Sequence, residues 1–100
     1  AAAASNFVIT ALQTAGDLMS AAGVDPKVVR PLVERAVANV YEPATGSPLT
    51  GPIARGDIDT VIGQMEVASQ VSEEVGEQYR LMAEATAIRA GRRGDVLRWR

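Results

Sequence analysis

Between Glu42 and Gly56 the chain loses all apolar periodicity and gathers Pro43, Gly46, Ser47, Pro48, Gly51 and Pro52. The segments on either side keep apolar residues at helical spacing, so this stretch must connect two helical halves. Its length, about 15 residues, is unusual: connections of ~12–15 residues without structure of their own are uncommon in compact domains and are commonly functional. Its most constrained part is Leu49-Thr50-Gly51-Pro52-Ile53-Ala54-Arg55-Gly56-Asp57. There two glycines and a proline force an irregular backbone, and Arg55 and Asp57 place opposite charges on the turn.

The halves read as helices. In Ala1–Ala22, Phe7, Val8, Ala11, Leu12, Ala15, Leu18, Met19 and Ala22 make a broad apolar stripe, while Asn6, Thr10, Gln13 and Asp17 make a polar one. Gly23 follows as a C-terminal cap. Asp25-Pro26 restarts the chain as N-cap and first helical residue, and Val29, Leu32, Val33, Ala36, Val37 and Val40 carry the next apolar face. Pro31 inside this run predicts a kink or a late start, and the helix should fade near Tyr41. Asp57 caps a third helix with Ile58, Val61, Ile62, Met65 and Ala68 on its buried side. Gly63 there costs roughly 1 kcal/mol relative to alanine unless another backbone packs on it. Ser72 caps a fourth helix that Gly91 ends, with Glu73 and Glu74 near its positive end and Arg80–Glu84 at ion-pair spacing. Arg92–Arg100 is a basic tail, either frayed or an extra turn.

One hundred residues, 47% hydrophobic, form one domain with a single core and little to spare. Aromatics are 4%, so the core must rest on aliphatic side chains and alanines, which favours close helix-on-helix packing. The fold class is therefore all-α, a bundle of four or five helices. Its broad apolar faces exceed what the chain can cover alone, which predicts burial against a second copy or another domain. Without cysteine or histidine there are no disulfides, thiol nucleophiles, ordinary zinc sites or imidazole catalysis, and no nucleophile–base pair can be assembled. A net charge of −2 with mixed signs offers no nucleic-acid face. The uncharged start, Ala1–Gly16, lacks the basic region of a signal peptide and the ~20 apolar residues of a membrane span. Absence of cysteine fits a cytoplasmic location. The chain opens on four alanines in what reads as mid-helix, so it is expected to be a piece of a longer protein.

Arg55 is the first candidate for binding. A guanidinium can hold a carboxylate or phosphate through two parallel hydrogen bonds, beside the helix N-terminus that begins at Asp57. An ion pair with Asp57, Asp59 or a helix carboxylate that organises the loop is the plainer alternative. Asn6, beside Ser5, can orient a substrate oxygen or hydrogen-bond the long loop. Asn39 is a C-terminal cap or loop anchor, and Tyr79 and Trp99 are packing residues. Arg55-Gly56-Asp57 spells an adhesive tripeptide, set aside because Asp57 is needed as a cap. Gly46 to Gly51 has phosphate-loop glycine spacing, but Pro52 and Ile53 stand where lysine and a hydroxyl residue are required.

Ser5-Asn6-Phe7, then Asn39, then the Leu49–Asp57 run follow in an order that resembles a known domain. It is the C-terminal helical domain of a bacterial family of Rossmann-like oxidoreductases related to 6-phosphogluconate dehydrogenase and ketopantoate reductase. The resemblance covers approximately residues 1 to 90, and Thr50–Asp57 is its most specific element. It implies a 6-phosphogluconate dehydrogenase C-terminal-domain-like fold, used for dimerisation and substrate contact. It also implies an N-terminal dinucleotide-binding domain, outside this chain, that would take NADP or NAD. Asn6, Thr50 and Arg55, with Ser5 beside them, would face the cleft between the domains; Gly51, Pro52, Gly56, Asp57 and Asn39 would shape the loop. Gln64 stands where the family pattern has a histidine in the third helix. The expected function is the dimerisation and substrate-contacting part of an NAD(P)-dependent reductase of a small oxo or hydroxy acid, with ketopantoate reductase as the named kin. This piece alone is not expected to catalyse. The alternative is a non-catalytic helical self-association or partner-binding module.

Overall fold

Asp25, Asp57 and Ser72 each start a helical element by accepting from a backbone N–H of its first turn. A computed structural model describes residues 1–42 and 46–100. It places α1 at Ala2–Ala21, a 3-10 turn at Pro26–Val29, α2 at Arg30–Tyr41, α3 at Pro52–Arg55, α4 at Ile58–Val71, α5 at Glu73–Arg89 and a 3-10 segment at Arg93–Trp99. Among the described residues there is no strand, and the all-α expectation holds.

Pro31 delays α2, as its position predicts. The chain makes a 3-10 turn first, with Asp25 accepting from Lys27 N, and α-helix begins only at Arg30. Pro31 then falls in the first helical turn, where its missing N–H would have had no intrahelical partner. Glu42, not Asn39, holds the capping position of α2; Asn39 lies inside the last turn.

The long connection is less irregular than its sequence suggests. Pro43, Ala44 and Thr45 lie outside the described residues, but Pro52–Arg55 closes one helical turn that loop chemistry alone did not reveal. Gly51 enters it at φ 90° and Gly56 leaves it at φ 73°. Two backbone bonds, Asp57 N to Pro52 O (2.9 Å) and Gly56 N to Ile53 O (3.2 Å), form a Schellman closure that needs a left-handed residue at position 56. The Cβ of any other residue there would also fall 2.8 Å from Arg92 Nη1.

Asp57 then starts α4. Its carboxylate accepts from Thr60 N (3.3 Å) and from the Thr60 hydroxyl (2.7 Å). Those two bonds, with Arg55 nearby as a smaller contribution, hold its pKa below the ordinary 3.8. A depressed carboxylate pKa means that its stabilising effect is present above the unfolded-state value and lost as pH falls through the folded one. Asp57→Ala is therefore expected to lower the melting temperature at pH 7, by an amount that shrinks as pH falls through the folded pKa of Asp57. Asp57→Asn should retain most of the cap at pH 7. Paired melts across pH 2–7 check this, and an offset that does not shrink in acid would count against the capping role.

α4 and α5 are joined by one residue, Ser72, which ends one helix and caps the next by accepting from Val75 N at 3.0 Å. The core lies on this hairpin. Val61, Ala83, Ala87 and Trp99 are buried together, with Ile53, Ile58, Ile62, Met65, Tyr79 and Val96 packed partly against them. Of the two expectations for the tail, the extra turn is the one found: Arg93–Trp99 folds back onto α4 and α5. Arg92 Nε also donates to Ala54 O (3.2 Å), tying the tail to α3. The Arg80–Glu84 pair forms at 3.1 Å, with Glu77 as a second partner at 2.6 Å. Such exposed pairs contribute little to stability.

α1 and α2 depart most from a closed bundle. The only buried side chain of α1 is Thr14, and α2 has none. Besides the 3-10 turn that precedes it, α2 borders only an open groove, shared by its Arg30 and Val33 with Leu12, Ala15 and Gly16 of α1, among the described residues. Phe7, Leu32, Val40 and Tyr41 are 73%, 68%, 62% and 80% exposed. The apolar stripes read from the sequence exist, but this chain covers them only in part: Leu18, Met19, Val29 and Val33 are half-buried, the others largely exposed.

Candidate functional site

The four side chains picked out for substrate contact do not converge on one pocket. Ser5 and Asn6 are exposed near the start of α1, with the Ser5 hydroxyl turned back onto Ala2 O at 3.2 Å. Arg55 is exposed at the end of α3. Thr50 alone lines a groove, of about 240 Å³, between α1, the α3 turn, α4 and α5. Asn6 precedes Ala11, the nearest α1 residue of the groove, by five positions, so it sits roughly 7.5 Å further along the axis. Arg55 follows Pro52, also a lining residue, by one turn, which places their Cβ atoms about 5–6 Å apart. Arg55 is thus at the lip of the groove, outside its lining.

The groove exists because α1 meets α5 through small residues. Ala11, Ala15 and Ala83 leave room that Leu18, Ile53 and Met82 only partly fill. Its polar atoms are few and mostly paired. Thr86 gives its hydroxyl proton to Met82 O (2.7 Å). The Thr14 hydroxyl is 2.9 Å from Thr10 O and 3.2 Å from Gln78 Oε1. One hydroxyl proton cannot serve both acceptors. With the Gln78 amide turned over, its NH₂ donates to Thr14 while Thr14 donates to Thr10, and every group is satisfied. That pairing is what buries Thr14 to 4% exposure and fixes α1 against α5.

The remaining polar pair is Tyr79 and Gln64. Tyr79 Oη donates to Gln64 Oε1 at 2.6 Å, with both residues lining the groove. Burial pushes the Tyr79 phenol above its ordinary value, so it stays protonated near neutral pH. Tyr79 is the packing residue its spacing suggested, and it is also the groove's hydrogen-bonding centre, which its spacing did not suggest. Gln64 was visible only as the residue standing in a histidine's place.

None of the groove's lining residues is charged. Among the described residues no three potential metal ligands cluster, and no helix is long and apolar enough to cross a membrane. The Arg55-Gly56-Asp57 turn has structural work at two positions: Gly56 closes α3 and Asp57 caps α4. Compared with known proteins, residues 1–86 match a family described as Domain of unknown function (DUF2520). No curated protein and no solved structure matches the chain.

Proposed function

We propose, since this chain belongs to the DUF2520 family, that it is the dimerisation and substrate-contacting domain of an NAD(P)-dependent oxidoreductase acting on a small oxo or hydroxy acid. The reading carries over the kinship to 6-phosphogluconate dehydrogenase and ketopantoate reductase inferred from the Leu49–Asp57 run. Its support is one observation: Thr50, Pro52 and Ile53, from the run that carries the resemblance, line the groove, and Arg55 follows Pro52 by one turn.

With no strand among the described residues to carry a dinucleotide-binding turn, cofactor binding is assigned to an upstream domain. A nicotinamide held there would supply the hydride. This chain's part is to hold the acid. Arg55 takes its carboxylate at the lip through a two-point contact, and Thr50 orients the oxygen inside the groove. Asn6 and Ser5 stand outside the lining, further along α1.

Self-association follows from α1 and α2. A helix of 12 residues is marginal in water without a packed face, and α2 has no side chain buried here. A second copy laid on Leu32, Val40 and Tyr41 supplies that face. Light scattering should report a dimer, and Leu32→Asp combined with Val40→Asp should give a monomer; a wild-type monomer at micromolar concentration overturns this part.

Titration of the complete protein with NADPH and with NADH tests the catalytic reading. At least one should bind saturably, and Arg55→Ala should leave that affinity unchanged while raising KM for the acid at least tenfold. If neither nucleotide binds, the oxidoreductase reading fails. One observation favours a non-catalytic self-association module instead: the groove lining holds no ionisable acid–base group besides a phenol whose pKa is raised. That alternative predicts a stable dimer with no dinucleotide affinity.

A further inference from the structure

We infer that the Tyr79–Gln64 pair is a recognition element for an uncharged oxygen, and that it accepts a ligand's carbonyl and the corresponding alcohol about equally well. The inference rests on reading the groove as the substrate site and names which end of the substrate enters it.

The first part follows from the lining. Around Tyr79 and Gln64 the walls are Leu18, Pro52, Ile53, Met82, alanines and three threonines, with no charge of either sign. A carboxylate pushed into such a wall loses hydration without gaining a cationic partner, which disfavours its entry. The nearest cation along α3, Arg55, stands outside the lining and is exposed. The groove therefore takes the neutral end of a ligand, and a charged end stays at the lip. Its volume, about 240 Å³, corresponds to roughly eight waters at ~30 Å³ each, the space of a compact group of similar heavy-atom count.

The second part follows from hydrogen-bond valence. A phenol has one proton and an acceptor oxygen; a primary amide has two donor hydrogens and an acceptor oxygen. As the pair stands, Tyr79 donates to Gln64 Oε1. The phenol oxygen is then free to accept, and the Gln64 NH₂ is free to donate, which suits a ligand hydroxyl. With the Gln64 amide rotated by half a turn, its NH₂ donates to the phenol oxygen and the Tyr79 proton is released toward the groove. That arrangement suits a ligand carbonyl. The tyrosine–amide bond is kept in both, so neither state leaves a polar group orphaned. Gln64 is exposed on α4, which leaves the amide room to turn. A pair of this kind fits a site that must hold both partners of a carbonyl–alcohol interconversion.

Methyl-labelled intact protein, without nicotinamide, provides the test. Cyclohexanone and cyclohexanol are titrated separately, reading the methyl signals of Ile53 and Met82. Both should shift these signals saturably with affinities within fivefold of each other, while cyclohexanecarboxylate at equal concentration should leave them in place. Tyr79→Phe keeps the ring in its packing and removes one oxygen; it should weaken both probes about fivefold, the worth of one hydrogen bond. Gln64→Ala, at an exposed position, should do the same and guards against a folding defect in the tyrosine variant. Absence of saturation, affinities more than fivefold apart, binding of the carboxylate to the same methyls, or unchanged affinity in both variants overturns the inference. Because no nucleotide is present, a failed NADPH titration and a failed probe titration are separate results.

Discussion

Trp99→Ala is expected to destabilise the fold by about 3–5 kcal/mol, the usual cost of emptying a buried large aromatic site. Trp99 is 7% exposed and belongs to the same buried cluster as Val61, Ala83 and Ala87. The partners explain the size of the effect. Ala83 and Ala87 are 3% and 0% exposed, and alanine brings little volume of its own, so the indole occupies space that α4 and α5 leave between them. No other tryptophan is present to collapse into the hole; of the remaining aromatics, Phe7 and Tyr41 are exposed and Tyr79 packs at the edge of the core. Domains of this size have total stabilities of roughly 5–15 kcal/mol, so the variant should be partly unfolded or nearly so at 37 °C. Because Trp99 is the single tryptophan, the comparison needs far-ultraviolet circular dichroism under urea, not fluorescence. A loss below about 1 kcal/mol would mean that the Arg93–Trp99 segment does not hold the core together.

Trp99 also marks a limit of what sequence reasoning could reach. It read as a packing residue, but the basic residues around it, Arg92, Arg93, Arg98 and Arg100, read as a solvated tail. Nothing local distinguishes a charged 3-10 segment that folds back from one that frays, since its order comes from contacts with α4 and α5 distant in sequence. The matched family region stops at residue 86, before this element. Caps were legible for the opposite reason: Asp25, Asp57, Ser72, Gly23 and Gly91 each act within a few residues of themselves. The groove falls between the two cases. Gln64 lies eight positions before Ser72 and Tyr79 seven after it, so a one-residue corner brings them together. A reader who had folded the chain back at Ser72 would have paired them. Taken helix by helix, Tyr79 is only one more apolar-face position. Arg55 and Asn6 were found as candidates by residue chemistry and resemblance, which do not report distance, and the structure leaves both outside the groove's lining.

The same corner makes Gly76→Ala and Gly63→Ala opposite in sign, although each replaces a helical glycine with the best helix former. At Gly63, midway along α4, a Cβ would meet nothing within 4 Å. The only change is the propensity gain, and the variant should be more stable by about 1 kcal/mol. At Gly76 the added Cβ would lie 2.6 Å from Ser69 Oγ, 2.9 Å from Ser69 Cα and 3.2 Å from Ser69 Cβ. The hydroxyl can rotate away, but the Cα is backbone and moves only if α4 and α5 separate. Separation is resisted by the single-residue joint at Ser72 and by the buried Ala68 and Val75 that flank it. Overpacking of this kind costs ~1–3 kcal/mol, and three contacts this short place it near the upper end. The propensity gain offsets at most about 1 kcal/mol and less in a first helical turn, so a net loss of roughly 2 kcal/mol is expected. Ser69→Gly in the same chain should restore only part of it, since the backbone contact remains. Urea unfolding of the two single variants side by side decides the matter. If Gly76→Ala matches or exceeds wild-type stability, the helices do not approach as closely at Ser69 as the structure places them. If Gly63→Ala instead weakens the dimer expected from α1 and α2 while stabilising the monomer, then a second copy's backbone, absent here, packs on that glycine.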